Sequence, residues 1–317
     1  MYHMIARRLA AALRHGAAAR HLPLRSRSTH THTYTRTRTF RKQLPPLHAL
    51  NGAFSSSDVS SAQSALGKRS PMFYVPVLSD AVARKEALVT LPEEESKHLK
   101  VIRVGEGSAV QLCDGRGRVV HGRVEVVGSK KEPARVRVER IETEVDVANN
   151  TSSPAWHVGV ACGSLKGSRG DWMVEKCAEI GARSLTPLMT ARSMRVGVKD
   201  RDRYERLAVS VMKQSLQAWK MEVGEACDLF EFLDGFGEGA RVFVGAESAV
   251  SFGDVLREER EQGVTDAVVL VGPEGDFTPE ELDGLVARGV KPVGLGARRL
   301  RTETAAIVML STGMVMM

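Results

Sequence analysis

The feature that most constrains this chain is an apolar run, Ala267-Val268-Val269-Leu270-Val271, that stops at Gly272-Pro273-Glu274-Gly275-Asp276-Phe277-Thr278. A β-branched run bounded by Gly and Pro predicts a strand buried on both faces, as in a parallel sheet covered by helices. The turn then sits at the carboxyl end of the strand, where open α/β sheets bind ligands. Pro273 fixes its own φ and holds Gly272 extended, while Gly275 can take a positive φ or let a ligand approach the backbone. Thr278-Pro279-Glu280-Glu281 predicts a helix start, with Thr278 as N-cap, Pro279 in the first position and Glu281 closing a capping box. On shape alone the loop is either a ligand loop of backbone amides and the Glu274 carboxylate or a plain βα turn.

The chain around this stretch falls into three parts. From residue 155 strand and helix signals alternate: a strand at 156–161, a Gly-rich loop Lys166-Gly167-Ser168-Arg169-Gly170, and a helix capped by Asp171 and stopped by Gly181. A helix at 202–217, strands at 241–245 and 290–295, and an apolar helix at 302–317 follow. This predicts an α/β domain with a mostly parallel sheet over residues 155–317. Upstream of Asn149-Asn150-Thr151-Ser152-Ser153-Pro154, residues 70–148 carry alternating strands at 109–113, 119–127 and 134–147 around the turn Asp114-Gly115-Arg116-Gly117. They predict a small antiparallel β-barrel. Its stretch Lys97-His98-Leu99-Lys100-Val101-Ile102-Arg103 is either an RNA-backbone contact or a solvated face.

Residues 1–68 are a leader and a Ser-rich linker. The net charge of +7 suggests a nucleic-acid binder until the charge is located. Ten cations precede the first acid, Asp58; without them 35 basic residues face 38 acidic ones, so the body carries about −3. The leader is rich in Arg, Ser, Thr and Ala, with Ile5, Leu9 and Leu13 on one helical face. That is the composition of an organellar transit peptide, with a basic nucleic-acid-binding tail as the alternative. Its destination is a mitochondrion or a chloroplast, the mitochondrion favoured. No stretch is apolar enough for a transmembrane helix, so no membrane partner is expected. Cys113, Cys162, Cys177 and Cys227 are scattered and imply no disulfide framework. Only His98, His121 and His157 lie beyond the leader, which disfavours a metal site.

The last strand repeats the pattern of the first. Gly294-Leu295-Gly296 ends it, and Ala297-Arg298-Arg299-Leu300-Arg301 leads into Thr302-Glu303-Thr304-Ala305, a capped helix start. Two such loops form one pocket if their strands are neighbours. Neither matches a dinucleotide or nucleoside-triphosphate fingerprint. The pair, together with Glu175-Lys176-Cys177-Ala178-Glu179-Ile180-Gly181, resembles the motifs of the 16S ribosomal RNA uridine-N3 methyltransferases of the knotted SPOUT superfamily. The resemblance covers residues 71–317, the barrel being similar to the PUA-like domain of that family. Three positions depart from its pattern: Asp276 where a second Gly is usual, Arg299 where an apolar residue is usual, and Gln217 where Lys213-Gln214-Ser215-Leu216-Gln217 would end in Arg.

The resemblance implies a C-terminal trefoil knot, a homodimer, S-adenosylmethionine (SAM) as cofactor, and small-subunit ribosomal RNA or the assembled subunit as partner. It places cofactor contacts at Val271, Gly272, Pro273, Glu274, Gly275, Leu295, Gly296, Leu300, Thr302, Thr304 and Ala305. Arg301 is the candidate for stabilising a developing anion and Glu303 for positioning. Lys166, Arg169 and Lys213 are candidate RNA contacts, and Trp172 and Trp219 are expected in the core. Another SPOUT activity, on ribose 2′-O or a tRNA base, and a non-catalytic ribosome-assembly protein are the alternatives.

Overall fold

A computed structural model describes residues 70–78, 85–129, 132–142, 154–161, 168–193, 201–247, 249–259 and 264–317. The leader, Lys166, Cys162 and the far end of the 134–147 strand lie outside the described residues.

The first part begins with β1 (Met72–Tyr74) and β2 (Leu88–Thr90), then α1 (Glu93–Val101), β3 (Ala109–Cys113), β4 (Val119–Val126) and β5 (Arg135–Glu142). These strands form one sheet in the order β1-β3-β4-β5-β2. All pairings are antiparallel as expected except β1 on β3, which is parallel. Phe73, Leu91, Leu99, Leu112, Val136 and Val138 fill its core.

The second part contains β6 (Ala155–Val160), α2 (Ser168–Ile180), β7 (Ser184–Met189), α3 (Arg201–Ser215), β8 (Glu222–Val223), β9 (Cys227–Asp228), α4 (Leu229–Asp234), β10 (Arg241–Gly245), α5 (Phe252–Glu258), β11 (Asp266–Val271), α6 (Pro279–Ala287), β12 (Lys291–Val293) and α7 (Thr302–Met316). Its sheet is parallel throughout, ordered β12-β10-β11-β6-β7-β8, with β9 pairing β7. The α/β expectation holds. Strand β11 sits inside this sheet with both faces covered. Ala267, Val269 and Val271 join a cluster with Trp156, Phe243 and Met309, while Val268 and Leu270 face Leu229, Leu233 and Leu285. Each fully buried Val or Leu contributes roughly 1.5–3 kcal/mol relative to exposure, so the run anchors both layers. The capping box is present: Glu281 N donates to Thr278 Oγ1 at 3.2 Å, and Thr278 N donates to Glu281 Oε2 at 2.8 Å.

The two parts meet along a built seam. The turn after β3 docks on the segment after α3, with Gly117 N donating to Ala218 O at 3.0 Å and Lys220 N to Gly115 O at 3.0 Å. Beside it, Met72, Cys113, Val119 and Met212 form a small buried cluster. The Cys113 thiol lies 3.3 Å from the Ala218 carbonyl, and burial pushes its pKa up to about 11. Lys213 Nζ of α3 reaches Glu95 Oε1 of α1 at 2.7 Å, with the Lys213 side chain 18% and the Glu95 side chain 9% exposed. The second Glu95 oxygen is buried without a partner.

Two local expectations need correction. Helix α2 starts at Ser168, not at Asp171, which places Arg169 and Gly170 in its first turn and leaves Asp171 paired with Arg203. Trp172 is 41% exposed on that helix rather than in the core. Trp219 is half-buried, with the Arg183 guanidinium 3.5 Å over its ring. Gln217 has a structural role here: its Nε2 donates to the Glu179 carbonyl at 2.9 Å, satisfying an end group of α2 beside Gly181.

Candidate functional site

Strands β11, β10 and β12 end together, and their loops line one cavity of about 440 Å³. The two loops expected to meet do meet, but their strands are not neighbours. Strand β10 lies between them, and its end, Gly245, Ala246 and Glu247, supplies a third wall. The sequence signals that wall only by Gly245, the glycine closing the 241–245 strand.

The 272–277 loop is held by its carbonyls. Asp276 N donates to Pro273 O at 2.8 Å and closes the turn. The positive φ falls on Asp276, at 63°, and not on Gly275. Its side chain compensates locally: Phe277 N donates to Asp276 Oδ1 at 2.8 Å. Asp is among the few residues that reach the left-handed region through such a bond, which explains how it stands where Gly is usual. Thr302 Oγ1 donates to Gly272 O at 3.2 Å, Arg299 Nη2 to Glu274 O at 2.8 Å, and Arg192 Nη1 to Gly275 O at 2.7 Å and Phe277 O at 3.3 Å. Arg299 thus works as a carbonyl clamp, and a buried apolar side chain there would leave Glu274 O without this donor.

The second loop passes close against the chain before α5. Gly294 N donates to Val250 O at 2.7 Å, and Phe252 N donates to Gly294 O at 3.0 Å. A Cβ on Gly294 would lie 2.5 Å from the Ala249 carbonyl, so only glycine fits this parallel pairing. Gly296 then turns the chain with φ at 101°.

Of the residues expected to contact cofactor, Val271, Gly272, Pro273, Glu274, Leu295, Gly296, Leu300, Thr302 and Ala305 line the cavity; Gly275 and Thr304 do not. Arg301 lines it as well, together with Arg298, Arg299 and Asp276. Glu303 is outside the lining, and its carboxylate lies 3.9 Å from Arg169 Nη1 at the start of α2. Lys213 is far from these groups in role, its ammonium being engaged by Glu95. Arg298 and Arg301 are exposed, and among the described residues neither side chain makes a hydrogen bond or ion pair. Among the described residues no group of three or more His, Cys, Asp or Glu is placed to hold a metal ion, and no helix is long and apolar enough to cross a membrane.

The cavity therefore combines an apolar wall, polar backbone turns and a cationic rim. A family model described as RNA methyltransferase domain matches residues 151–314. The chain belongs to the RNA methyltransferase family. A model for the RNA methyltransferase PUA domain matches residues 91–134, within the first sheet and α1. Among curated RNA methyltransferases, the ribosomal RNA small subunit methyltransferase E of Synechocystis sp. is 28% identical over 231 residues, 71% of this chain and 72% of that protein. The Bacillus subtilis protein of that name is 26% identical over 232 residues, 69% of this chain and 86% of its own length. A crystal structure of the Neisseria gonorrhoeae ribosomal RNA small subunit methyltransferase E, bound to S-adenosyl methionine, aligns with a TM-score of 0.64 and 25% identity, over 77% of this chain and 96% of that one.

Proposed function

We propose that this RNA methyltransferase binds SAM in the cavity at the ends of β10, β11 and β12 and methylates N3 of a uridine in small-subunit ribosomal RNA. The observation that carries the reading is the conjunction of a cavity walled by three strand-end loops with two exposed arginines on its rim, Arg298 and Arg301, that pair with none of the described residues. The volume of about 440 Å³ lies in the range of small-molecule sites. Val271, Leu295, Leu300 and Ala305 suit the apolar faces of the cofactor, and the Glu247 and Glu274 carboxylates suit its cationic end. Bound there, SAM supplies an electrophilic methyl group.

A uridine N3 must shed its imide proton before it accepts the methyl. If its pKa lies about two units above neutrality, that loss costs about 2.7 kcal/mol, which a positioned cation can offset without a strong general base. Arg301, which lines the cavity, takes the role of stabilising the resulting anion. Arg298, on the same rim, and Arg169 are the candidates to meet a neighbouring phosphate. The base leaves its stack to enter the site. The reading includes the C-terminal trefoil knot that the family resemblance implies, an exception to the general rule that chains are unknotted. The reading extends to a homodimer working on an organellar ribosome, the mitochondrial one ahead of the plastid one, on the strength of the Arg-rich, acid-free leader. Mass-spectrometric mapping of organellar small-subunit rRNA after deletion of the gene tests it. Loss of one N3-methyluridine is expected; its persistence contradicts the substrate assignment.

A further inference from the structure

We infer that Arg192 is a positioning residue for the methyl donor, acting on the cofactor loop from outside the cavity. It lies in the turn after β7, on the far side of β6 from β10 and β12, and it does not line the cavity. Its Nη1 nonetheless donates to two carbonyls of the 272–277 loop, Gly275 O at 2.7 Å and Phe277 O at 3.3 Å. These bonds bracket Asp276, the residue held at positive φ, so they fix the one strained joint of the loop.

The turn that carries Arg192 is itself braced. Thr190 N donates to Ser193 Oγ at 2.7 Å, and Ser193 Oγ donates to Leu188 O at 3.2 Å, tying the turn to the end of β7. Ala191 N donates to Glu281 Oε1 at 2.8 Å, while the other oxygen of Glu281 closes the capping box of α6. One carboxylate therefore joins the Arg192 turn to the helix that follows the cofactor loop. A guanidinium carried on a braced turn and shared between two carbonyls of the cofactor loop is a preorganised clamp that makes charge-assisted hydrogen bonds. With Arg299 and Thr302 on the opposite side, the carbonyls of residues 272, 274, 275 and 277 are held by three side chains from two separate parts of the chain.

This inference rests on the SAM reading, and titration of the wild-type protein separates the two. Calorimetric titration with SAM and steady-state kinetics on small-subunit rRNA are run for the wild type, Arg192→Ala and Arg192→Lys. Arg192→Ala is expected to weaken SAM binding about tenfold and raise KM for SAM in proportion, with KM for RNA and the thermal unfolding midpoint nearly unchanged. Arg192→Lys, which keeps the charge but not the fork, is expected to fall between. Wild-type binding with Arg192→Ala binding SAM equally well overturns the positioning role. A rise confined to KM for RNA, with a shallower salt dependence, also overturns it and makes Arg192 a phosphate contact instead. Failure of the wild type to bind SAM sinks the cofactor reading itself.

Discussion

The seam between the two sheets and the rim of the cavity both present basic side chains, and they use them oppositely. At the seam Lys213 is largely buried, pinned at 2.7 Å to a Glu95 whose second oxygen has no partner. At the rim Arg298 and Arg301 are exposed and, among the described residues, make no hydrogen bond or ion pair. A largely buried cation whose partner is still more deeply buried contributes to how two domains are held; an exposed cation that no described residue engages costs little to redirect toward a phosphate or a developing anion. The difference separates residues that set the frame from those available to a substrate, and Arg192 and Arg299 stand between, cationic but engaged by backbone oxygens.

The largest expected effect tests the seam. Lys213→Ala strands the Glu95 carboxylate and is expected to cost about 3–5 kcal/mol in denaturant unfolding, whereas Glu95→Leu with Lys213→Met is expected to recover most of that loss. A stable Lys213→Ala protein with weakened RNA binding would erase the contrast. At the rim the pattern reverses. Arg301→Ala is expected to leave the unfolding midpoint within about 0.5 kcal/mol while lowering kcat on rRNA by about ten- to a hundredfold.

The buried thiols give a smaller, pH-dependent contrast. Burial raises the Cys113 pKa to about 11 and that of Cys177 to about 12. A thiol raised in the folded state keeps its full contribution below the unfolded value of 9.0 and loses it as pH rises through the folded value. Stability is therefore expected to fall between pH 9 and about 11–12 in pH-resolved thermal scans, and less in Cys113→Ala if the seam carries part of it. His157 works in the other direction. Burial lowers its pKa despite Asp266 at 3.1 Å, so its contribution is present above 6.5 and lost as pH falls through its folded value. The smallest effect is expected from Asp276→Gly, which exchanges relief at positive φ against a lost side-chain bond to Phe277 N and should leave stability within about 1 kcal/mol.

What was legible in the sequence follows from how each element is stabilised. Strand β11 and the start of α6 could be read because an unbroken β-branched run and a capping box are local signals. Helix α1 shows in the sequence only as a charged stretch, because two of its three buried residues, Glu95 and Ser96, are polar and hide the helical period. The commitment of Lys213 depended on Glu95, 118 residues away. The third cavity wall and the Arg192 clamp were hidden for the same reason: the strand order that places β10 between β11 and β12, and the turn after β7 beside the cofactor loop, leave no periodic trace. The paired loops were visible, and the residue bearing the strained φ was displaced by one, from Gly275 to Asp276, because an Asp side chain can do locally what glycine does by lacking one.

The most direct measurement is isothermal titration of the purified protein with SAM, alongside the Arg301→Ala variant. Saturable binding of one SAM per chain, retained in Arg301→Ala while its rRNA methylation falls, is the expected result. Absence of binding to the wild type at millimolar SAM would contradict the assignment of the cavity at the ends of β10, β11 and β12.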